Sequence, residues 1–168
     1  MGRKINLKFT LQFAITGAIS FSIPVYFFIR ESMYSKTWLL FLGVFLFFIV
    51  TVIHTLVNGN RRGEPGTPVE LIFESELITI TAIILCCVIS FILLVIFVPG
   101  YLGNGPAQKV LTGNPPSDVL DKTNGLSLKI FMTAIIGNFS VGSFASILLP
   151  FYSTGRRRRD SAGEEPFV

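Results

Sequence analysis

Four stretches of this chain contain no Asp, Glu, Lys or Arg: Phe9 to Ile29, Trp38 to Val57, Leu77 to Val98 and Ile130 to Tyr152. Each is about the 20 residues a helix needs to cross a bilayer core about 30 Å thick. The runs lack the alternation of strands, and an open sheet would leave its edges unsatisfied in lipid. The sequence therefore predicts an all-α integral membrane protein. Its expected form is a four-transmembrane-helix bundle with a short extracytoplasmic loop cap, with spans at about 9–29, 38–57, 77–98 and 130–152. Composition points the same way. Only 14% of residues are charged, against about 25% in a soluble domain. A water-soluble fold of this composition would expose larger apolar patches than soluble monomers do.

The first span has a basic start and a weak cleavage-like Ala18-Ile19-Ser20, but its apolar residues continue to Ile29. It is expected to be an uncleaved helix. Gly2 is not an acylation site, because Asn6 stands where Ser or Thr is wanted.

The basic residues set the expected orientation. Arg3, Lys4 and Lys8, then Arg61 and Arg62, then Arg156, Arg157, Arg158 and Arg159 fall on one side; Arg30, Lys36, Lys109, Lys122 and Lys129 fall on the other. Nine against five places both termini in the cytoplasm and the loop 99–127 outside. The four arginines open a basic-then-acidic cytoplasmic tail, 156–168, just after the fourth span. They are expected to anchor topology and attract anionic lipid, at about 1 kcal/mol per basic residue. A nucleic-acid role would need aromatic interleaving or a reading element, and neither is present.

The loop 30–37 is short, so the first two helices are expected to be antiparallel neighbours. Thr67, Pro68 and Glu70 form a helix-start signature. A helix running from there to Val98 exceeds the membrane thickness, so Glu70, Glu74 and Glu76 are expected to project into the cytoplasm. Two short helices, Pro106 to Leu111 and Ser117 to about Asn124, are expected in the long loop. Pro24 is expected to kink the first span.

Sites of chemistry are scarce in the sequence. The expected spans hold no charged residue for ion or proton coupling. There is one histidine, so one chain cannot build a bis-His haem, and no metalloprotease or phosphate-loop motif occurs. No catalytic residue, cofactor or metal is expected. Cys86 and Cys87 are read as apolar fillers, since neighbours on a helix point about 100° apart. His54 is expected to reach its ring to the interface. Glu70 and Glu74 are expected to be solvated, paired with Arg61 or Arg62. A metal or catalytic set of His54, Glu70 and Glu74 is the weaker alternative.

Asn138 sits near the middle of the fourth span, where an amide without a partner is costly. It shares four-residue spacing with Ala134, Gly142 and Ser146; the first span repeats the pattern in Thr10, Ala14, Ala18 and Ser22, and the third in Ala82, Cys86 and Ser90. Small residues in register let membrane helices approach closely. The second span is bulky nearly all round, so it is expected to be the most lipid-exposed or to face a partner's bulky surface. The sequon at Asn138 is expected to lie in the membrane, out of reach of glycosylation. The pattern points to a non-catalytic integral membrane subunit, or an assembly or scaffold factor of a larger membrane complex. Its expected partners are the bilayer and other membrane subunits or itself. A small oligomeric channel or transporter, with Asn138, Thr133 and Ser143 lining a polar path, is the alternative. A membrane enzyme at the cytoplasmic face is the third.

Overall fold

The computed structural model describes residues 7–60, 68–103, 107, 110–113 and 122–162. These residues are helical apart from turns, short connections and one isolated bridge between Met33 and Thr112. The helices are α1 (Leu7–Glu31), α2 (Trp38–Asn60), α3 (Pro68–Phe97), α4 (Leu126–Met132) and α5 (Asn138–Ala162). A 3-10 turn, Tyr34–Lys36, precedes α2. A π-helical segment, Thr133–Gly137, joins α4 to α5. Among the described residues, four stretches are long and apolar enough to cross a membrane: Lys8–Glu31, Tyr34–Val57, Val69–Phe97 and Leu126–Phe151.

Local chemistry explains the ends. Pro68 opens α3, where its missing N–H would lack a partner anyway; Thr67, the expected cap, lies outside the described residues. Pro99 and Gly100 stop the helix, with Gly100 at φ 79°. α1 stops where Ser32 turns left-handed, at φ 50°. The Ser32 backbone N–H donates to the Phe28 carbonyl at 2.8 Å and its hydroxyl to the Ile29 carbonyl at 2.6 Å, satisfying the helix end. α1 runs through Pro24, and α5 runs through Pro150.

α1 packs against α2 and α3, and α5 packs against the same two helices. Around the bundle the order is therefore α1, α2, α5, α3. The consecutive helices α2 and α3 meet only lightly across the middle. Contacts at both ends fix the directions. Tyr26 of α1 meets Phe97 of α3 edge-on at 5.2 Å, so these two run parallel. His54 of α2 meets Phe9 and Phe13 of α1, so those two run antiparallel.

The second span is not the most exposed. Its apolar stretch is 33% buried, against 22% for the third. The physical reason is Gly43. A Cβ there would lie 3.0 Å from the Phe21 ring and 3.1 Å from its carbonyl oxygen, so α1 closes directly on the α2 backbone. Leu40, Phe47, Thr51 and His54 complete a buried face on α2. α3 buries Ile78, Ala82, Cys86 and Ser90 and turns Ile80, Ile84, Val88 and Ile92 outward.

The described part of the connection between α3 and α4 around Leu111 packs on one end of the bundle. Leu111 is fully buried with Val98, Leu126 and Ile130. Tyr34 N–H donates to the Thr112 carbonyl and Thr112 N–H to the Ser32 carbonyl, both at 2.9 Å, pinning this segment to the α1–α2 turn. Val110 to Thr112 are not helical, because their backbone bonds go to Ser32, Tyr34 and Thr123 instead. Of the short helix expected from Pro106 to Leu111, the described residues Ala107, Val110 and Leu111 are not helical, and the rest lies outside the described residues. Most of the second expected short helix lies outside the described residues; Lys122 to Gly125 form a turn.

α5 continues as a helix beyond Tyr152 to Ala162, so the backbone of Arg156 to Arg159 extends the fourth span.

Candidate functional site

Two groups of polar side chains lie inside the bundle. The first is at the end where α1 begins, α2 finishes and α3 begins. His54 is 1% exposed, its ring centroid 5.3 Å from that of Phe9 and 5.0 Å from that of Phe13. The expected reach to the interface does not occur: two phenylalanines one turn apart on α1 close over the imidazole. Its Nδ1 has no hydrogen-bond partner among the described residues. On the neighbouring faces, Thr55 and Ser75 hydroxyls share a hydrogen bond at 3.3 Å, which sets the register of α2 on α3.

That register carries the acids inward. Glu74 is 5% exposed. Glu76 is half-buried and accepts a hydrogen bond from the Ser143 hydroxyl at 3.2 Å. Ser143 lies about 12 Å along α5 before Phe151, still within its apolar stretch. Glu74 is therefore not solvated as expected, and Glu76 only in part, because neighbouring helices cover them; the helix long and apolar enough to cross a membrane begins at Val69, ahead of Leu77. Glu70 is half-buried. Its expected partners Arg61 and Arg62 lie outside the described residues. Among the described residues no group of three or more His, Cys, Asp or Glu side chains could hold a metal ion.

The second group lies on the seam between α3 and α5. The Asn138 Nδ2 group donates to the Cys86 sulfur at 3.7 Å. Ala134, Cys86, Ser90, Asn138 and Ser146 are fully buried, and Gly142 is buried against Thr79. In α1, Ala14 and Ala18 are fully buried and Thr10 and Ser22 nearly so. The small residues picked out in the sequence thus all lie between helices of the same chain. Cys86 and Cys87 are free thiols.

Asn138, Thr133 and Ser143 do not share a path. Thr133 donates to the Lys129 carbonyl of its own helix, Ser143 turns to Glu76, and Asn138 turns to Cys86. Five-residue spacing on a helix rotates successive members by about 140°, which sends them to different neighbours.

Three buried atoms on this seam have no hydrogen-bond partner among the described residues: Asn138 Oδ1, Ser90 Oγ and Ser146 Oγ. A buried polar group left in that state costs about 1–3 kcal/mol. Sequence reading singled out Asn138 but missed Glu76 and Ser143 as a pair. Their signal was present in the apolar residues flanking Glu76, which place it at a helix position other helices can cover.

Comparison with family models, with curated proteins and with solved structures finds no match.

Proposed function

We propose that this chain is a four-span integral membrane protein that serves as a non-catalytic subunit, or an assembly or scaffold factor, of a larger membrane complex. Both termini lie on the cytoplasmic side, and the segment from 99 to 127 lies outside. The observation that carries this reading is the contact of Gly142 with Thr79. A Cβ on Gly142 would lie 2.9 Å from the Thr79 hydroxyl oxygen and closer still to its methyl group. The seam that holds Asn138 is therefore closed at this level in one chain, which argues for packing over conduction. The outward faces support a lipid or protein-helix environment: Leu11, Ile15, Ile19, Ile23 and Phe27 line α1, and Ile80, Ile84, Val88 and Ile92 line α3.

Extraction in a mild detergent followed by identification of co-purifying proteins tests the reading. A larger membrane partner in fixed stoichiometry is expected. A homo-oligomer that conducts solute in vesicles would replace it with the channel reading.

A further inference from the structure

The helices treat their hydroxyl groups in two ways. Ser22, Thr51, Thr79, Thr81 and Ser140 each donate to the carbonyl four residues earlier on their own helix. Ser90 does not, although it is fully buried and faces the same way as Cys86, one turn away. Across the seam, the Asn138 amide group binds Cys86 through Nδ2 and leaves Oδ1 without a protein partner among the described residues. The backbone adds a further irregularity at this place. The Asn138 N–H bonds to the carbonyls of Thr133 and Ile135. It skips Ala134, its partner in a regular α-helix, and Ala134 is buried one turn from Asn138. π segments of this kind recur at functional sites.

We propose that Ser90, Asn138, the Ala134 carbonyl and Cys86 form a buried polar site between α3 and α5 that holds ordered water. The site offers acceptors at Asn138 Oδ1 and the Ala134 carbonyl, a hydroxyl at Ser90 that both donates and accepts, and a thiol. A buried water takes about three hydrogen bonds from groups of this kind. Ala134, buried one turn before Asn138, contributes only a methyl group to this part of the seam. Gly142 and Thr79 close the seam one turn further along α5, so the site is a local one and not part of a continuous file toward Ser146. It stands whether or not the chain docks on a larger partner.

The test is hydroxyl-radical footprinting by brief X-ray exposure of the full-length protein in nanodiscs. Radicals formed from water held in the site oxidise the nearest sulfur, which is that of Cys86. Dose-dependent oxidation of Cys86 is expected despite its burial. The rate should fall about two- to three-fold in Ser90→Ala and about ten-fold in Asn138→Leu combined with Ser90→Ala. Equal Cys86 rates in the parent and in a folded Ser90→Ala protein would overturn the proposal. Absence of dose-dependent Cys86 oxidation in the parent protein would overturn it without any variant.

Discussion

Gly142 of α5 and Thr79 of α3 approach so closely that a Cβ on the glycine would stand 2.9 Å from the threonine hydroxyl oxygen. The Thr79 hydroxyl is held in place by its bond to the Ser75 carbonyl at 3.1 Å, and Ser75 is itself bonded to Thr55. The threonine therefore cannot turn away without breaking its own bond to the Ser75 carbonyl. Gly142→Ala is expected to destabilise the bundle by about 1–3 kcal/mol, the usual cost of overfilling a packed interior. Gly142→Leu should prevent close approach of α3 and α5 altogether. Thermal melts in detergent check the order; an alanine variant as stable as the parent would show that the seam is looser than this contact requires.

The second prediction concerns orientation. Single cysteines introduced at Ser117 and Ser161, in a background with Cys86 and Cys87 replaced by alanine, should differ in reach. In intact cells an impermeant thiol reagent is expected to label position 117 and to leave position 161 unlabelled until the membrane is opened. The reasoning is the distribution of lysine and arginine among the connecting segments. Labelling of 161 but not 117 in intact cells would invert the topology.

Arg156 to Arg159 continue the α5 helix beyond its apolar stretch. If they act through charge, replacing all four with lysine should preserve orientation and membrane level. Replacing them with glutamine should reduce correct insertion, by removing the largest cluster of positive charge in the chain. Protease protection and fractionation measure both. Indistinguishable lysine and glutamine variants would point away from electrostatics.

His54 packs against both Phe9 and Phe13, whose rings also touch each other at 4.8 Å between centroids. A packing role predicts that His54→Phe keeps most of the stability and that His54→Ala loses about 3 kcal/mol, near the cost of deleting a buried ring. Chemical denaturation in detergent gives the comparison. A phenylalanine variant that is as damaged as the alanine one would mean that the imidazole nitrogens, and not the ring's volume, are what the site needs.

The apolar helices were legible because length and absence of charge are local properties of a sequence. Close approach at Gly142 was legible too, through the spacing of Ala134, Asn138, Gly142 and Ser146. The order of helices around the bundle was not. It depends on which faces meet, and α2 and α3, although consecutive, sit opposite each other. The covering of Glu74 and Glu76 by other helices was missed for the same reason. A helix-start signature says where a helix begins, not how far its neighbours extend beside it, and α5 runs on past the level of Glu76. His54 was read by its own polarity, whereas its burial is decided by Phe9 and Phe13 from another helix. The π segment Thr133–Gly137 has no signature in residue types, since TAIIG fits an ordinary helix.

The last prediction separates the two main readings through Asn138. Its bond to Cys86 is long and made to sulfur, a weak acceptor, so its loss alone has a small effect. Hydrogen bonds between membrane helices average about 0.6 kcal/mol and rarely exceed about 1.7. Asn138→Ala is therefore expected to change stability by about 1 kcal/mol or less, well below the effect of Gly142→Leu. The contrast follows from geometry: the amide has one weak protein partner across the seam, whereas the glycine sets the distance between two backbones. In a channel the emphasis would reverse, with Asn138→Ala altering solute flux and leaving assembly intact. Reconstituting the parent, Asn138→Ala and Gly142→Leu in vesicles, and measuring assembly together with flux, distinguishes these outcomes. Flux in the parent that Asn138→Ala changes without loss of assembly would displace the subunit reading.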